Sequence, residues 1–325
     1  MGESAGAGSI MHHLVMEGGT LDPLFHRAIV MSPAYEPKYS SITLDAEYKV
    51  FESSAGCAGK GFACLKTKTT AELIVGNRAV TESAQFGTFG FGPAVGGAIH
   101  DLPQIEMANG NYWKNVDLII GHTSNEGFIF ANPSVLSNAQ YDALMKQNFA
   151  FTSASTLATI EKHYPEPAPL LRPYVTQFAR LSQTIGDWVV NCNFQALAKA
   201  YEGRVWAYTF SITPGVHAMD LLFAWWRTDL NIYDILQVDI DINFITEKNY
   251  ATAFQSYLTS FVRSGNPNTY RQKNSFPPTV DFPKATVGKE VKVLDVTTLV
   301  GFQVTTDNDS DSARCGFWNS GVWMS

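Results

Sequence analysis

Apolar residues fall into short dense runs separated by amphipathic stretches. Four runs are rich in β-branched side chains: Arg27–Ser32 (RAIVMS), Val116–Gly121 (VDLIIG), Arg204–Ile212 (RVWAYTFSI) and Val291–Val296 (VKVLDV). They are apolar almost throughout rather than at alternate positions, the pattern of strands buried on both faces. Between them the period lengthens to that of a helix. Ser4–Met16 places Ile10, Met11, Leu14 and Val15 on one face. Asn138–Phe149, Ser153–His163 and Leu181–Tyr201 read as further helices. Glu247–Arg263 repeats Tyr250, Phe254, Tyr257, Leu258 and Phe261 at helical spacing and is stopped by Ser264-Gly265-Asn266-Pro267. The Pro-containing stretch Tyr164–Pro173 reads as a loop. Strands alternating with helices predict an α/β fold with a mostly parallel sheet and helices on both faces. No composition shift divides residues 1–325, so one domain is expected.

Composition narrows the class. Of the 325 residues, 45% are hydrophobic, 13% aromatic and only 16% charged, enough apolar area to exclude a disordered chain. No window approaches 18 uncharged apolar residues, which excludes a transmembrane helix of ordinary length. A formal net charge of −7 argues against a nucleic-acid partner and against an anionic membrane surface. The opening Met1-Gly2-Glu3-Ser4 has neither the basic region nor the apolar core of a secretory signal peptide.

The cysteines Cys57, Cys64, Cys192 and Cys315 contain no C-x-x-C pair and match no zinc spacing. Three pairings are open, as are four free thiols. A Cys57–Cys64 bridge would close a small loop around Gly59 and Gly61, leaving Cys192 and Cys315 to join distant parts of the chain. Bridged cysteines would indicate an oxidising compartment, and the sequon Asn308-Asp309-Ser310 is compatible with secretion.

The most informative segment is Gly2-Glu3-Ser4-Ala5-Gly6, a G-x-S-x-G pattern followed at once by a helical one. In a nucleophile elbow the serine sits on a sharp, strained turn, and side chains two residues before and after it would collide, so glycine is expected at both places. The following helix directs its N-terminal N–H groups at the site, with Ala5 N–H as one oxyanion donor. The competing reading is a Gly/Ser-rich helix start capped by a serine.

An activated serine needs a base, and the base an orienting acid. Glu126, in Gly121-His122-Thr123-Ser124-Asn125-Glu126-Gly127, follows a predicted strand and so lies at its carboxyl end, where α/β sites form; the alternative is a solvated loop carboxylate. Among seven histidines, His217 follows the strand Arg204–Ile212 through Thr213-Pro214-Gly215-Val216 and is the best base. His122 is the runner-up. His12 and His13 lie too far along the first helix to turn back to Ser4, and His26, His100 and His163 read as surface or satisfied core residues.

Several segments together resemble the type-B carboxylesterases, the family of the cholinesterases and certain fungal lipases. They are Gly2–Ser9, Leu24–Ile29, Gly121–Gly127, Phe91–Gly97, Gly215–Asp220 and Phe261–Asn268, in the family's order along nearly the whole chain. The resemblance implies the α/β-hydrolase fold and carboxylic ester hydrolysis on a small-molecule or lipid ester, with no metal or organic cofactor. It assigns Ser4 as nucleophile, His217 as general base and acid, and Glu126 as orienting acid. It places disulfides at Cys57–Cys64 and Cys192–Cys315, and acyl-pocket or pocket-lining aromatics at Phe89, Phe91 and Trp225 or Trp226. By the same token the full protein would be secreted.

Departures from the family pattern also shape the expectation. Ser32-Pro33-Ala34 stands where Ser-Gly-Ser is usual, and Gly96 where an Asp is usual. No Gly-rich oxyanion loop occurs, and the strand leading into the elbow is expected to be missing. The chain therefore resembles the C-terminal portion of the fold, an incomplete single domain with little activity alone. The alternatives are a non-catalytic binding or adhesion module on the same scaffold, or a gene-model fragment.

Overall fold

The computed structural model describes residues 1–36, 41–149, 152–168, 174–227, 244–288 and 290–324. Residues 169–173 of the predicted loop Tyr164–Pro173 lie outside them. Six strands form one sheet in the order β1-β2-β3-β4-β5-β6. They are β1 (Gly2–Glu3), β2 (Arg27–Met31), β3 (Asp117–Thr123), β4 (Val205–Ser211), β5 (Val291–Thr297) and β6 (Gly301–Asp307). The first five pair in parallel, and β6 runs antiparallel to β5. The four predicted strands are β2 to β5. The strand entering the elbow, expected to be missing, is present as β1, whose two residues register with Val30 and Met31. β6 was not foreseen, because GFQVTTD is a mostly polar edge strand with Val304, Thr305 and Thr306 exposed.

The twelve helices among the described residues are α1 (Ala5–Gly19), α2 (Ser41–Ser54), α3 (Gly61–Leu65), α4 (Thr70–Ser83), α5 (Pro103–Ala108), α6 (Asn138–Asn148), α7 (Ala154–His163), α8 (Gln177–Gly186), α9 (Cys192–Ala200), α10 (Met219–Ala224), α11 (Phe244–Ser264) and α12 (Ser312–Asn319). The predicted single helix Leu181–Tyr201 is divided. Residues Asp187–Asn191 form a π turn between α8 and α9, with Asp187 buried at its start and accepting from Tyr164 Oη, Gln183 Nε2, Asn191 Nδ2 and Arg314 Nε. Helix α1 runs regularly to Val15 and breaks at Met16, Glu17 and Gly18.

Both faces of the sheet are buried, as uniformly apolar strands require. On one face α1 contributes Met11, Leu14 and Val15 and α9 contributes Phe194 and Leu197, packed on Val30, Leu118, Ile120 and Val205. On the other, the α11 stripe Phe254, Tyr257, Leu258 and Phe261 covers Ile29, Ile119, Trp206, Tyr208 and Leu294. Disulfides join Cys57 to Cys64 and Cys192 to Cys315. The second ties α9 to α12 across a sequence separation of 123, and a loop of that length corresponds to about 5 kcal/mol in the chain-entropy account, against about 2.5 kcal/mol for the short bridge. Replacing Cys192 and Cys315 together by serine is accordingly expected to lower the thermal midpoint at least twice as far as replacing Cys57 and Cys64, a comparison differential scanning calorimetry makes directly.

Candidate active site

The site lies at the carboxyl ends of β1 to β4, each of which delivers one side chain. After β1, Ser4 adopts φ 54° and ψ −123°, a conformation that costs a non-glycine residue about 1–3 kcal/mol. The surroundings hold it there: Ser4 N–H donates to Met31 O, and Ser4 O accepts from Gly8 N and Ala34 N. A Cβ on Gly2 would sit 2.4 Å from Gly6 O, so glycine is obligatory there. The same does not hold for Gly6, where a Cβ would meet nothing within 4 Å; the expectation of steric need on both sides of the serine is corrected to one side. Gly8 instead allows α1 to approach the chain after β2, since its Cβ would lie 2.1 Å from Ala34 O.

The turn after β3 carries Glu126, which is fully buried and therefore has to be surrounded by donors. Its Oε1 accepts from Ser32 Oγ and from Thr123 N–H, both at 2.6 Å, and its Oε2 faces His217 Nδ1 in a short hydrogen bond. The two loops are sewn together by Asn125, whose N–H donates to Gly215 O and whose Nδ2 donates to Pro214 O. The short parallel bridge between Asn125 and Val216 fixes His217 beside Glu126.

The other face of the imidazole is unusual. His217 Nε2 lies 3.3 Å from Glu3 Oε1, without hydrogen-bond geometry to it. Ser4 Oγ makes no hydrogen bond among the described residues, while its neighbour Glu3 occupies the space in front of Nε2. Burial lowers the His217 imidazolium, but the Glu126 carboxylate outweighs this, helped by Glu3 and Asp220, and raises it to about 9. Burial raises Glu126, and the His217 charge and hydrogen bond more than reverse that, holding it below the usual carboxylate range. Burial pushes Glu3 up to about 7 and Asp220 up to about 6; the second is partly offset by Tyr208 Oη, which donates to Asp220 at 2.5 Å.

Ser4 opens onto a cavity of about 450 Å3. Its walls are mostly apolar and come from α1, the turn after β2, residues 87–93, Phe130 and the π turn. Phe89 and Phe91 line it. Trp225 and Trp226 do not: α10 carries them away, Trp225 to 61% exposure and Trp226 into the packing under α11. Trp188 and Val189 reach the wall instead, turned there by the π turn. His12, which its distance along the helix had set aside, also lines the cavity, its Nδ1 donating to Gly8 O at 2.8 Å and its ring edge-on to Tyr35. Ser32 was read only as part of a divergent loop; a polar residue just beyond a strand end at the sheet rim is the signal that marks it as a partner for the acid.

His13, set aside with His12, lines the cavity as well, and the other histidines have other places. His26 is exposed, His100 faces Glu17 at 3.5 Å, and His163 packs on Phe317. His122 is fully buried and turned away from the cavity, with Nε2 3.2 Å from Asp307 Oδ1. Its ring nitrogen and the Asp307 and Asp309 carboxylates lie within 4.8 Å of one another. However, Asp307 already accepts from Asp309 N, Ser310 N and Ser310 Oγ, the donor set of a buried ion pair rather than of an open metal cradle.

A strained serine at a helix start, with an acid and a histidine on successive strand ends of a parallel sheet, defines the α/β-hydrolase class. Residues 1–318 match the carboxylesterase family, and the chain belongs to it. A secreted lipase of Arthroderma benhamiae is 31% identical over 98% of this chain and 59% of its own length. The carboxylesterase patB of Aspergillus clavatus is 27% identical over 98% of this chain and 53% of its own. The crystal structure of Aspergillus niger EstA superposes with a TM-score of 0.81 at 24% identity, covering 99% of this chain and 64% of that one, and supports the fold. The chain thus spans between half and three-fifths of the length of these two sequence relatives.

The contact between His217 and Glu3 has a measurable consequence. A carboxylate 3.3 Å from Nε2 favours the imidazolium, so Glu3→Gln is expected to lower the His217 titration midpoint from about 9 by about one unit. The ring-proton resonances of His217, followed by NMR between pH 5 and 10, report that midpoint; an unmoved value overturns the electrostatic reading of Glu3.

Proposed function

We propose that this chain hydrolyses carboxylic esters through an acyl-enzyme, with Ser4 as nucleophile, His217 as general base and then acid, and Glu126 as the group that orients His217. The observation that carries this reading is the buried Glu126–His217 pair, reached at 3.3 Å by Glu3, the residue before a serine held in elbow geometry. With the Glu3 side chain turned out of the space before Nε2, neutral His217 takes the Ser4 proton through Nε2 as Oγ attacks the ester carbonyl, and Glu126 stabilises the imidazolium so formed. Ala5 N–H, at the first turn of α1, supports the oxyanion. The protonated His217 then gives its proton to the leaving alcohol. Water, activated by the same imidazole, releases the acid.

Membership of the carboxylesterase family supports the reaction class. The apolar cavity supports a substrate with a hydrocarbon acyl group, and Phe89, Phe91, Phe130 and Trp188 are the side chains it would meet. Similarity to a secreted lipase, together with two disulfides, supports an extracellular location for the protein. No described helix is long and apolar enough to cross a membrane. In this reading residues 1–325 act as one α/β-hydrolase unit.

Two features make the chain by itself a slow catalyst in this reading. The elbow supplies a single backbone donor at Ala5, and each oxyanion donor is worth about 10²–10³ in rate. The base is also held protonated at neutral pH by Glu126, Glu3 and Asp220. Loss of a proton near pH 9 generates the reactive form, so the rate is expected to climb from pH 7 to pH 9 rather than to plateau near neutrality.

The test is covalent labelling by a fluorophosphonate. Slow labelling that accelerates toward pH 9 and disappears in Ser4→Ala is expected. Label retained in Ser4→Ala, or no labelling between pH 7 and 9, overturns Ser4 as nucleophile and favours a non-catalytic binding module, the role that the unbonded Ser4 hydroxyl would suit. In the labelling-competent chain, p-nitrophenyl esters graded by acyl length are expected to react faster as the chain lengthens until the cavity is filled, and Trp188→Ala to move that optimum to longer chains.

A further inference from the structure

A second histidine lies behind the acid, and the mechanism above makes no use of it. His122 is the penultimate residue of β3, fully buried, its ring edge-on to Phe194 of α9 at 4.6 Å between centroids. Its two ring nitrogens are both engaged. Nδ1 lies 2.9 Å from Thr123 O, a carbonyl that can only accept, so Nδ1 carries a proton. Nε2 lies 3.2 Å from Asp307 Oδ1 and 3.3 Å from Thr209 Oγ1. A carboxylate at that distance from the second nitrogen selects the doubly protonated ring.

The residue that His122 grips is the one that feeds the acid. Thr123 gives its carbonyl to His122 Nδ1 and its N–H to Glu126 Oε1. The ring therefore holds Thr123 from its carbonyl side while the amide end points at the carboxylate. The Asp307 carboxylate is in turn fixed by Ser310 and by Asp309 N–H, just past the end of β6. A buried ion pair contributes little to stability in itself, because desolvation offsets most of the attraction. What this one provides is a fixed positive charge near Glu126 and a fixed hydrogen bond to the residue whose N–H donates to that carboxylate.

We propose that His122, held as an imidazolium by Asp307, is a positioning residue for the ester-hydrolysis site, fixing Thr123 and favouring the ionised form of Glu126. The proposal rests on the Ser4–His217–Glu126 reading. The charged groups facing His122 are Asp307, the last residue of β6, Asp309 from the turn that follows, and Glu126 from the turn after β3. Burial lowers the His122 imidazolium, but Asp307 first and then Asp309 and Glu126 reverse this and raise it to about 10. Correspondingly, His122 is among the groups that keep Glu126 low, after burial, which opposes them, and after His217. The sign at His217 follows. A proton entering the Glu126–His217 pair adds positive charge near a cation that is already present, so His122 makes that protonation harder. Removing the cation makes it easier and moves the His217 midpoint upward.

The experiment uses the chain as it stands with two variants, His122→Gln and Asp307→Asn. The first removes the ring; the second keeps it but takes away its counter-charge, so His122 becomes neutral. Histidine side-chain nitrogen NMR is expected to find both His122 nitrogens protonated at pH 8 in the parent and one of them deprotonated in Asp307→Asn. The His217 midpoint is expected to rise by about half a unit or more in His122→Gln, which leaves the Asp307 anion behind, and by less in Asp307→Asn, where cation and anion are lost together. Fluorophosphonate labelling at pH 7 is expected to fall at least threefold in His122→Gln, with its acid limb moved to the same side. A purely structural role would lower the thermal midpoint and leave the His217 midpoint where it is. A neutral His122 in the parent, or an unmoved His217 midpoint in the folded variants, overturns the proposal. A parent that no probe labels through Ser4 defeats the esterase reading instead, while the two NMR measurements still decide the electrostatic link between His122 and the Glu126–His217 pair.

Discussion

A carboxylate removed entirely from water is tolerated only where donors replace the lost hydration, and Glu126 is such a group. Its donors come from three successive strand ends: Ser32 after β2, Thr123 at the end of β3 and His217 after β4. The cage exists because the sheet is in register, with Met31 opposite Gly121, and Gly121 opposite Tyr208. A slip of one residue along β3 would exchange the faces of His122 and Thr123 and leave the acid unsatisfied. Sheet register and acid burial are thus one constraint. The apolar packing on both faces maintains it, and the Asn125 contacts to the histidine loop carry it from β3 to β4.

Charge around the imidazole is crowded. Glu126, Glu3 and Asp220 all bear on His217, and burial alone would raise every one of the three carboxyl groups. They are distinguished by their partners. Glu126 has two donors besides His217 and remains ionised. Asp220 has Tyr208, and one of its oxygens is unpaired. Glu3 Oε1 has only the electrostatic contact with His217. Similar side chains in one small volume are therefore shifted in different directions, burial raising Glu3 and Asp220 while the His217 charge and its hydrogen bonds lower Glu126.

The cavity is built from different material. The sheet delivers Ser4, Glu126 and His217, but the walls belong to α1, to residues 87–93 and to the π turn, and these owe little to strand register. One extra residue in that turn, held by the contacts of Asp187 with Tyr164, Gln183, Asn191 and Arg314, rotates Trp188 and Val189 toward Ser4. Membership of the carboxylesterase family accounts for the sheet and the elbow.

What the linear order of residues determines by itself is the material that repeats. Uniformly apolar runs became β2 to β5, the Phe254–Phe261 stripe became the packed face of α11, and the glycine at position 2 was legible as a steric necessity. These follow from periodicity and local sterics, which act over a few residues and need no knowledge of the rest of the chain. Ser4, Glu126 and His217 could be named because each follows a strand or opens a helix. The contact between His217 and Glu3, the turning of Trp188 into the cavity, the departure of Trp225 and Trp226 from it, and the pairing of His122 with Asp307 were decided only by the tertiary structure. Each joins groups far apart along the chain, or depends on a single inserted residue within a helix. Distances of a few ångströms there are set by how two sheet faces close over their helices, and no local pattern of residues encodes that closure.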